Sequence, residues 1–143
     1  MIVVDTTVMV YALGDPHPLR EPCRHLLDAV DARRVAATTT IEAVQEFAHV
    51  RARRRSRHAA AASARYYARL LSPLLAPSMS DLLGGLELFE ENPRLGSFDC
   101  ILAATAMSNN VEALVSADTG FSGVHGLNHV DPAVEGAVES LFD

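Results

Sequence analysis

Two short apolar runs, each leading into an aspartate, constrain this chain more than any other feature. Ile2-Val3-Val4 is followed at once by Asp5, and Ala113-Leu114-Val115 by Ser116, Ala117 and Asp118. Continuous apolar runs of this length, rich in β-branched residues, suit strands buried on both faces, as in a parallel sheet. A carboxylate at the end of such a strand loses hydration and needs a hydrogen-bond donor or a cation. Two further acids stand in apolar company. Asp99 lies at the start of the Ala-rich segment Ser97–Asn109, and Glu46 lies inside the helical segment Ile41–Val50.

Between these runs the pattern alternates. Thr7–Leu13 reads as a short helix halted by Gly14-Asp15-Pro16, and Pro18–Val30 as a second helix with Leu19, Cys23, Leu26, Leu27 and Val30 on one face. Val35–Thr38 is a second strand. Thr39 and Glu42 have capping-box spacing for the next helix, with Ile41, Val44, Phe47 and Ala48 as its apolar side. On that helix Glu42, Glu46, His49 and Arg53 form one polar stripe. His58–Leu71 is helical, and Leu74-Leu75-Ala76 is a short strand between two prolines. Ser78-Met79-Ser80-Asp81 opens a helix running to Glu91, with Leu82, Leu83, Leu86 and Phe89 as its apolar residues. Ser97 caps the helix that holds Asp99 in its first turn. Ala113–Ser116 and a piece of Val124–Val130 complete the strands, and Glu135–Asp143 is an acidic tail, frayed or disordered. Strands alternating with helices predict an α/β sandwich around a mostly parallel sheet.

The chain has 143 residues, enough for one domain with a full core at 49% apolar composition. We place one domain over 1–132, with 133–143 as a tail that belongs to it or is disordered. No run approaches a membrane span, and the start lacks the basic and long apolar regions of a signal peptide. A cytoplasmic location is expected. Cys23 and Cys100 lack metal or redox spacing. The net charge of −6 opposes general nucleic-acid affinity. Its distribution matters more, because all 12 basic residues are Arg and five of them fall within Arg51–Arg57. No mechanism that needs a catalytic lysine is open to this chain.

In an open α/β sheet, ligands gather beyond the carboxyl ends of the strands. Asp5 and Asp118 emerge at that rim. Asp99 reaches it from a helix's first turn, where the dipole favours an anion, and Glu46 from about one and a half turns into its helix. Four carboxylates favour Mg²⁺ or Mn²⁺ over zinc, which prefers His and Cys. Such an ion activates water and neutralises charge on a phosphodiester under attack. Glu42 competes with Glu46, but the capping box gives Glu42 a local explanation that Glu46 lacks.

Four segments in order carry a resemblance: Ile-Val-Val-Asp5-Thr-Thr, Thr-Ile-Glu-Ala-Val-Gln-Glu46-Phe, Ser-Phe-Asp99-Cys-Ile-Leu-Ala-Ala-Thr-Ala and Leu-Val-Ser-Ala-Asp118-Thr-Gly-Phe. From Met1 to about Pro132 the chain resembles PIN-domain proteins, in particular the VapC-type toxins of bacterial toxin–antitoxin pairs. The resemblance implies a three-layer PIN-like sandwich and a Mg²⁺- or Mn²⁺-dependent endoribonuclease. It implies a homodimer, silenced by a cognate antitoxin. Asp5, Glu46, Asp99 and Asp118 match the family's acidic positions, Thr6 its small hydroxyl position, and Ser116 the Ser/Thr preceding the last acid. Arg51, Arg53, Arg54, Arg55 and Arg57 are left open between RNA phosphates, acidic antitoxin residues and a solvated helix end.

Other readings compete. Asp5 and Asp118 also suit turns, Asp99 a helix terminus, and the polar stripe a solvated face. His49 and His58 on such faces are more often surface residues than general bases. Tyr66 and Tyr67 suit helix packing better than base stacking. An aspartyl-phosphate protein, either a receiver domain or a dehalogenase-like phosphatase, also places an Asp after an early strand. It usually needs a Lys, and the phosphatase a second Asp where Thr7 stands. A non-catalytic PIN-like module that binds RNA or protein is the remaining alternative.

Overall fold

A computed structural model of the chain describes residues 1–142. Strands β1 (Ile2–Val4), β2 (Ala37–Thr38), β3 (Ala113–Val115) and β4 (His129–Val130) form one parallel sheet in the order β2-β1-β3-β4. The six helices are α1 (Thr6–Leu13), α2 (Arg20–Asp31), α3 (Ile41–Ala52), α4 (Arg57–Leu70), α5 (Met79–Glu91) and α6 (Ser97–Ser108). Every residue of β1 and β3 is buried, as their unbroken apolar runs require.

Strand alternation sends side chains to two cores. Ile2, Val4, Ala113 and Val115 join Met9, Leu26, Phe47 and Tyr67 from the first four helices. Val3 and Leu114 face Cys100, Leu102, Ala103, Ala106 and Phe121 on the other side. The result is three layers, with α1–α4 on one face of the sheet and α6 on the other. Tyr67 lies edge-on to Phe47 at 5.0 Å between ring centroids, so it is a packing residue. Fully burying each such side chain contributes roughly 1.5–3 kcal/mol. No helix among the described residues is long and apolar enough to cross a membrane.

Several sequence expectations are corrected. Thr40, not Thr39, is the N-cap of α3 and accepts from the Ala43 amide at 3.1 Å. Thr39 is fully buried, and its hydroxyl donates to the Val4 carbonyl at 2.6 Å, so it is not free to cap. Val44, Phe47 and Ala48 pack on the first core as expected, and Ala43 takes the place expected of Ile41. Ala43 and Phe47 are buried, whereas Ile41 is 51% exposed. Leu74–Ala76 reduces to one parallel bridge between Thr40 and Leu75, since the flanking Pro73 and Pro77 have no amide to extend a ladder. Ser97 does not cap α6; the N-cap is Gly96, without a side-chain bond.

The capping box appears instead on α5. Ser78 and Asp81 satisfy each other's amides, and Asp81 also accepts from Ser108 Oγ at 2.6 Å. These bonds hold the Asp81 carboxyl below the usual range. Of the apolar residues of α5, Leu88 packs against the second core, but the four expected to do so do not. Leu83 is 56% exposed and Phe89 46%, with Leu82 and Leu86 also exposed. The acidic tail is packed rather than frayed. Val138 joins the first core, a 3-10 turn spans Glu139–Leu141, and Glu139 pairs with His25 at 3.2 Å. Asp143 lies outside the described residues.

Helices α5 and α6 pack closely because Gly85 has no side chain. A Cβ there would lie 2.7 Å from both Cα and Cγ1 of Ile101, whereas one at neighbouring Gly84 would meet only Ala104 Cβ, at 3.9 Å. Gly85→Ala is therefore expected to destabilise the fold by about 1–3 kcal/mol. Gly84→Ala should stabilise it by up to about 1 kcal/mol through helix propensity. Urea unfolding of the two variants checks the contrast.

Candidate active site

Parallel pairing of β1 with β3 sets Val4 beside Val115. The residues that follow each strand therefore leave the sheet side by side. Asp5 turns the chain into α1 as its N-cap, and Asp118 starts a 3-10 turn over Thr119–Gly123. Asp5, Glu46, Asp99 and Asp118 line one cavity of about 320 Å³, with Thr6, Thr7, Val10, Tyr11, Val50 and Arg54. A larger recess of about 470 Å³ between α2 and the C-terminal segment shares none of these residues. We place the site by its chemistry rather than by size.

Asp5 is only 3% exposed, and its hydrogen bonds all fall on Oδ2. Ser116 Oγ donates at 2.7 Å and Thr7 Oγ1 at 2.8 Å, with the Thr7 amide at 3.3 Å. The supporting hydroxyls are themselves held. Ser116 Oγ accepts from the Asp118 amide at 3.0 Å, and Thr7 Oγ1 from the Ala117 amide at 3.0 Å. A continuous relay thus ties the end of β1 to the end of β3. Asp5 Oδ2 is thereby fixed by the protein at three hydrogen bonds.

Asp118 Oδ1 accepts from the Gly120 amide at 2.8 Å. A Cβ at Gly120 would lie 2.8 Å from Leu95 Cδ2 and 3.0 Å from Asp118 Oδ1, so this approach needs glycine. Thr6 Oγ1 lies within hydrogen-bond distance of Glu46 Oε2 (3.1 Å) and the Ala43 carbonyl (3.2 Å), which links α1 to α3. Glu42 instead lines a separate groove with Thr40, Pro77, Leu82 and Phe98. Glu46 belongs to the cavity because Thr6 reaches it. The capping-box argument that favoured it over Glu42 does not hold.

The cavity is electrostatically strained. Burial, then repulsion from Asp5, Asp118 and Glu46, pushes the Asp99 carboxyl up to about 6, against a backbone hydrogen bond from Gly96. Burial and Asp5 also raise Glu46, partly offset by Thr6 and His49. The donor set is all oxygen, which suits a hard cation rather than zinc. Among the described residues no group of three or more His, Cys, Asp or Glu side chains stands close enough together to hold a metal ion by itself. An ion held here would have to keep several of its waters, as Mg²⁺ does.

Of the residues singled out from sequence, Ser116 and Thr6 stand beside the acids, as described. The arginines separate. Arg54 lines the cavity; Arg53 and Arg57 line a neighbouring groove with His49; Arg55 pairs with Asp15; and Arg51 donates to the Leu13 carbonyl. His58 lines neither. Thr7 was missed as a supporting residue. The signal was the Asp-Thr-Thr run itself, because a residue two positions after an aspartate N-cap can return both amide and hydroxyl to it.

The Asp99 shift sets a pH dependence. A carboxyl whose folded-state value is raised is stabilising when protonated; that contribution is fully present below its unfolded value and is lost as pH rises through about 6. Without divalent cations, Asp99→Asn should unfold later than the parent chain near neutral pH, by on the order of 1–2 kcal/mol. The difference should vanish near pH 4. Thermal unfolding in EDTA across this range measures it.

A PIN domain family model matches residues 2–127. The chain is 50% identical to Ribonuclease VapC7 of Mycobacterium tuberculosis (strain ATCC 25618 / H37Rv), across 100% of this chain and 99% of that protein. It is 32% identical to Ribonuclease VapC23 of the same strain over 120 residues, 82% of this chain and 93% of that one. In shape it matches a chain of VapBC2 from Rickettsia felis, solved bound to a DNA fragment from their promoter. The TM-score is 0.72 at 18% identity, over 92% of this chain and 98% of that one. It also matches VapBC-1 from nontypeable Haemophilus influenzae, with a TM-score of 0.67 at 17% identity, over 94% and 100%. At those identities the likeness concerns the fold. With a family match over most of its length and an end-to-end relative at 50% identity, the chain belongs to the PIN-domain family.

Proposed function

We propose that this chain is a Mg²⁺- or Mn²⁺-dependent endoribonuclease that hydrolyses RNA phosphodiester bonds, and the toxin of a toxin–antitoxin pair neutralised by a cognate antitoxin. The observation that carries this reading is the convergence of Asp5, Glu46, Asp99 and Asp118 on one cavity at the carboxyl rim of a parallel sheet. The ribonuclease name of the 50%-identical relative supports the substrate class, and the VapBC matches support an antitoxin partner.

The four carboxylates would hold the ion, which supplies water activation and neutralises charge on the phosphodiester. The chain's own residues prepare that site. Ser116 and Thr7 fix one oxygen of Asp5 and so set the direction of the other. Thr6 fixes Glu46. Gly120 lets the backbone orient Asp118. Homodimer formation would bury the apolar side chains exposed along α5, together with Phe98 at 74% exposure. We assign the protein to the cytoplasm, in keeping with two free, buried cysteines.

Single-stranded RNA should be cut with Mg²⁺ or Mn²⁺ and left intact in EDTA. Asp5→Asn should abolish cleavage, and Ser116→Ala should reduce it about 10–100-fold as an outer-shell partner. Equal cleavage by the parent chain and Asp5→Asn would sink the metal-site reading. Failure of either ion to promote cleavage would favour a non-catalytic binding module.

Divalent ions should also relieve the repulsion among the acids. Millimolar Mg²⁺ or Mn²⁺ should raise Tm near neutral pH. The shift should shrink in Asp5→Asn. Calorimetry that finds no shift in the parent chain would argue against an assembled ion site.

A further inference from the structure

The arginine cluster does not act as one surface. The Arg51 side chain is committed to the fold: one guanidinium nitrogen donates to the Leu13 carbonyl at 3.0 Å, and its Nε is buried. Arg55 is paired with Asp15 at 3.3 Å. Arg53, Arg54 and Arg57 are exposed, and among the described residues their guanidinium groups make no hydrogen bond or ion pair.

The turn between α3 and α4 sends these three arginines to two places. Glu46, Val50 and Arg54 follow one another at intervals of four and line the acid cavity. His49, Arg53 and Arg57 line the groove on the adjacent side of α3, closed by the start of α4. The acid cavity is thus lined by the four carboxylates together with Arg54, Val10, Tyr11 and Val50.

An RNA strand brought to four carboxylates meets strong repulsion, and the molecule's net charge of −6 adds to it. Cations at the acids offset part of this at the scissile phosphate only. Neighbouring phosphates need their own positive partner, and Arg54 is the basic residue lining the cavity. We propose that Arg54 is a substrate-positioning residue that holds a phosphate adjoining the scissile one, and that Arg53 and Arg57 continue the strand's path along the next groove. The inference rests on the ribonuclease reading and names the subsite that reading lacks.

The test is fluorescence anisotropy of a labelled single-stranded RNA against salt concentration, alongside cleavage kinetics of the same RNA with Mg²⁺. Arg54→Ala should weaken binding roughly fivefold and reduce the slope of log affinity against log salt by about 0.7, the loss of one phosphate contact. KM should rise more than kcat falls. Arg54→Lys should keep the slope, since a point charge suffices for a phosphate. The Arg53→Ala/Arg57→Ala double variant should lower the slope further, whereas Arg55→Ala should leave it unchanged. Thermal unfolding with and without Mg²⁺ confirms that each variant folds and keeps its ion response.

Parent-like affinity and slope in both Arg54→Ala and the double variant would overturn the inference. So would variants that bind RNA normally but lose binding to a ten-residue polyglutamate peptide, since the cluster would then serve an acidic protein partner. RNA that binds with the expected slopes but is never cut would sink the ribonuclease reading and leave the phosphate path standing.

Discussion

The pairing of β1 with β3 is the constraint on which the rest of the structure depends. It sets the last residue of the first strand, Val4, against Val115. Asp5 then meets Ser116, and the Ser116 hydroxyl passes the Asp118 amide's hydrogen bond on to Asp5. A slip of one residue would turn Val3 and Leu114 from one core to the other and point Asp5 away from its partners. The two cores and the site are thus fixed by the same register. The apolar driving force that buries the strands also holds the acids at a spacing their charges resist.

Much of this was legible because strands buried on both faces leave an unambiguous trace. Ile2-Val3-Val4 and Ala113-Leu114-Val115 could hardly be exposed, and the aspartates that follow them had to emerge at the rim. What misled was polar chemistry with more than one local solution. Three threonines in a row offer three possible caps. Only the folded chain shows that Thr39 is used by the Val4 carbonyl while Thr40 caps. The polar stripe on α3 looked continuous, yet Glu42, Glu46 and His49 open onto three different recesses. A helical wheel gives the direction of a side chain but not what packs on either side of it.

The apolar face of α5 failed in the opposite sense. Leu82, Leu83, Leu86 and Phe89 have a core-like spacing, but α5 is held to the body through Gly85 and Asp81. Periodicity reports that a face is apolar; whether the same chain covers it depends on how closely the helix approaches along its other side. The arginines carry a similar lesson. Five equivalent-looking cations divide into one tied to the fold, one paired and three without a partner among the described residues, because Leu13 and Asp15 at the end of α1 lie within reach of only two.

The bond between Ser116 and Asp5 spans 111 positions of sequence. The first acid gains this partner only once the chain has been made through Ser116. Helices α1–α4 can gather around the first core earlier, since their contacts are more local. Closing the sheet waits for β3, and orienting Asp118 waits for Gly120 beyond it. The acidic site therefore cannot take this arrangement before the chain has been made through Gly120, and β4 and Val138 then complete the sheet edge and the first core around it.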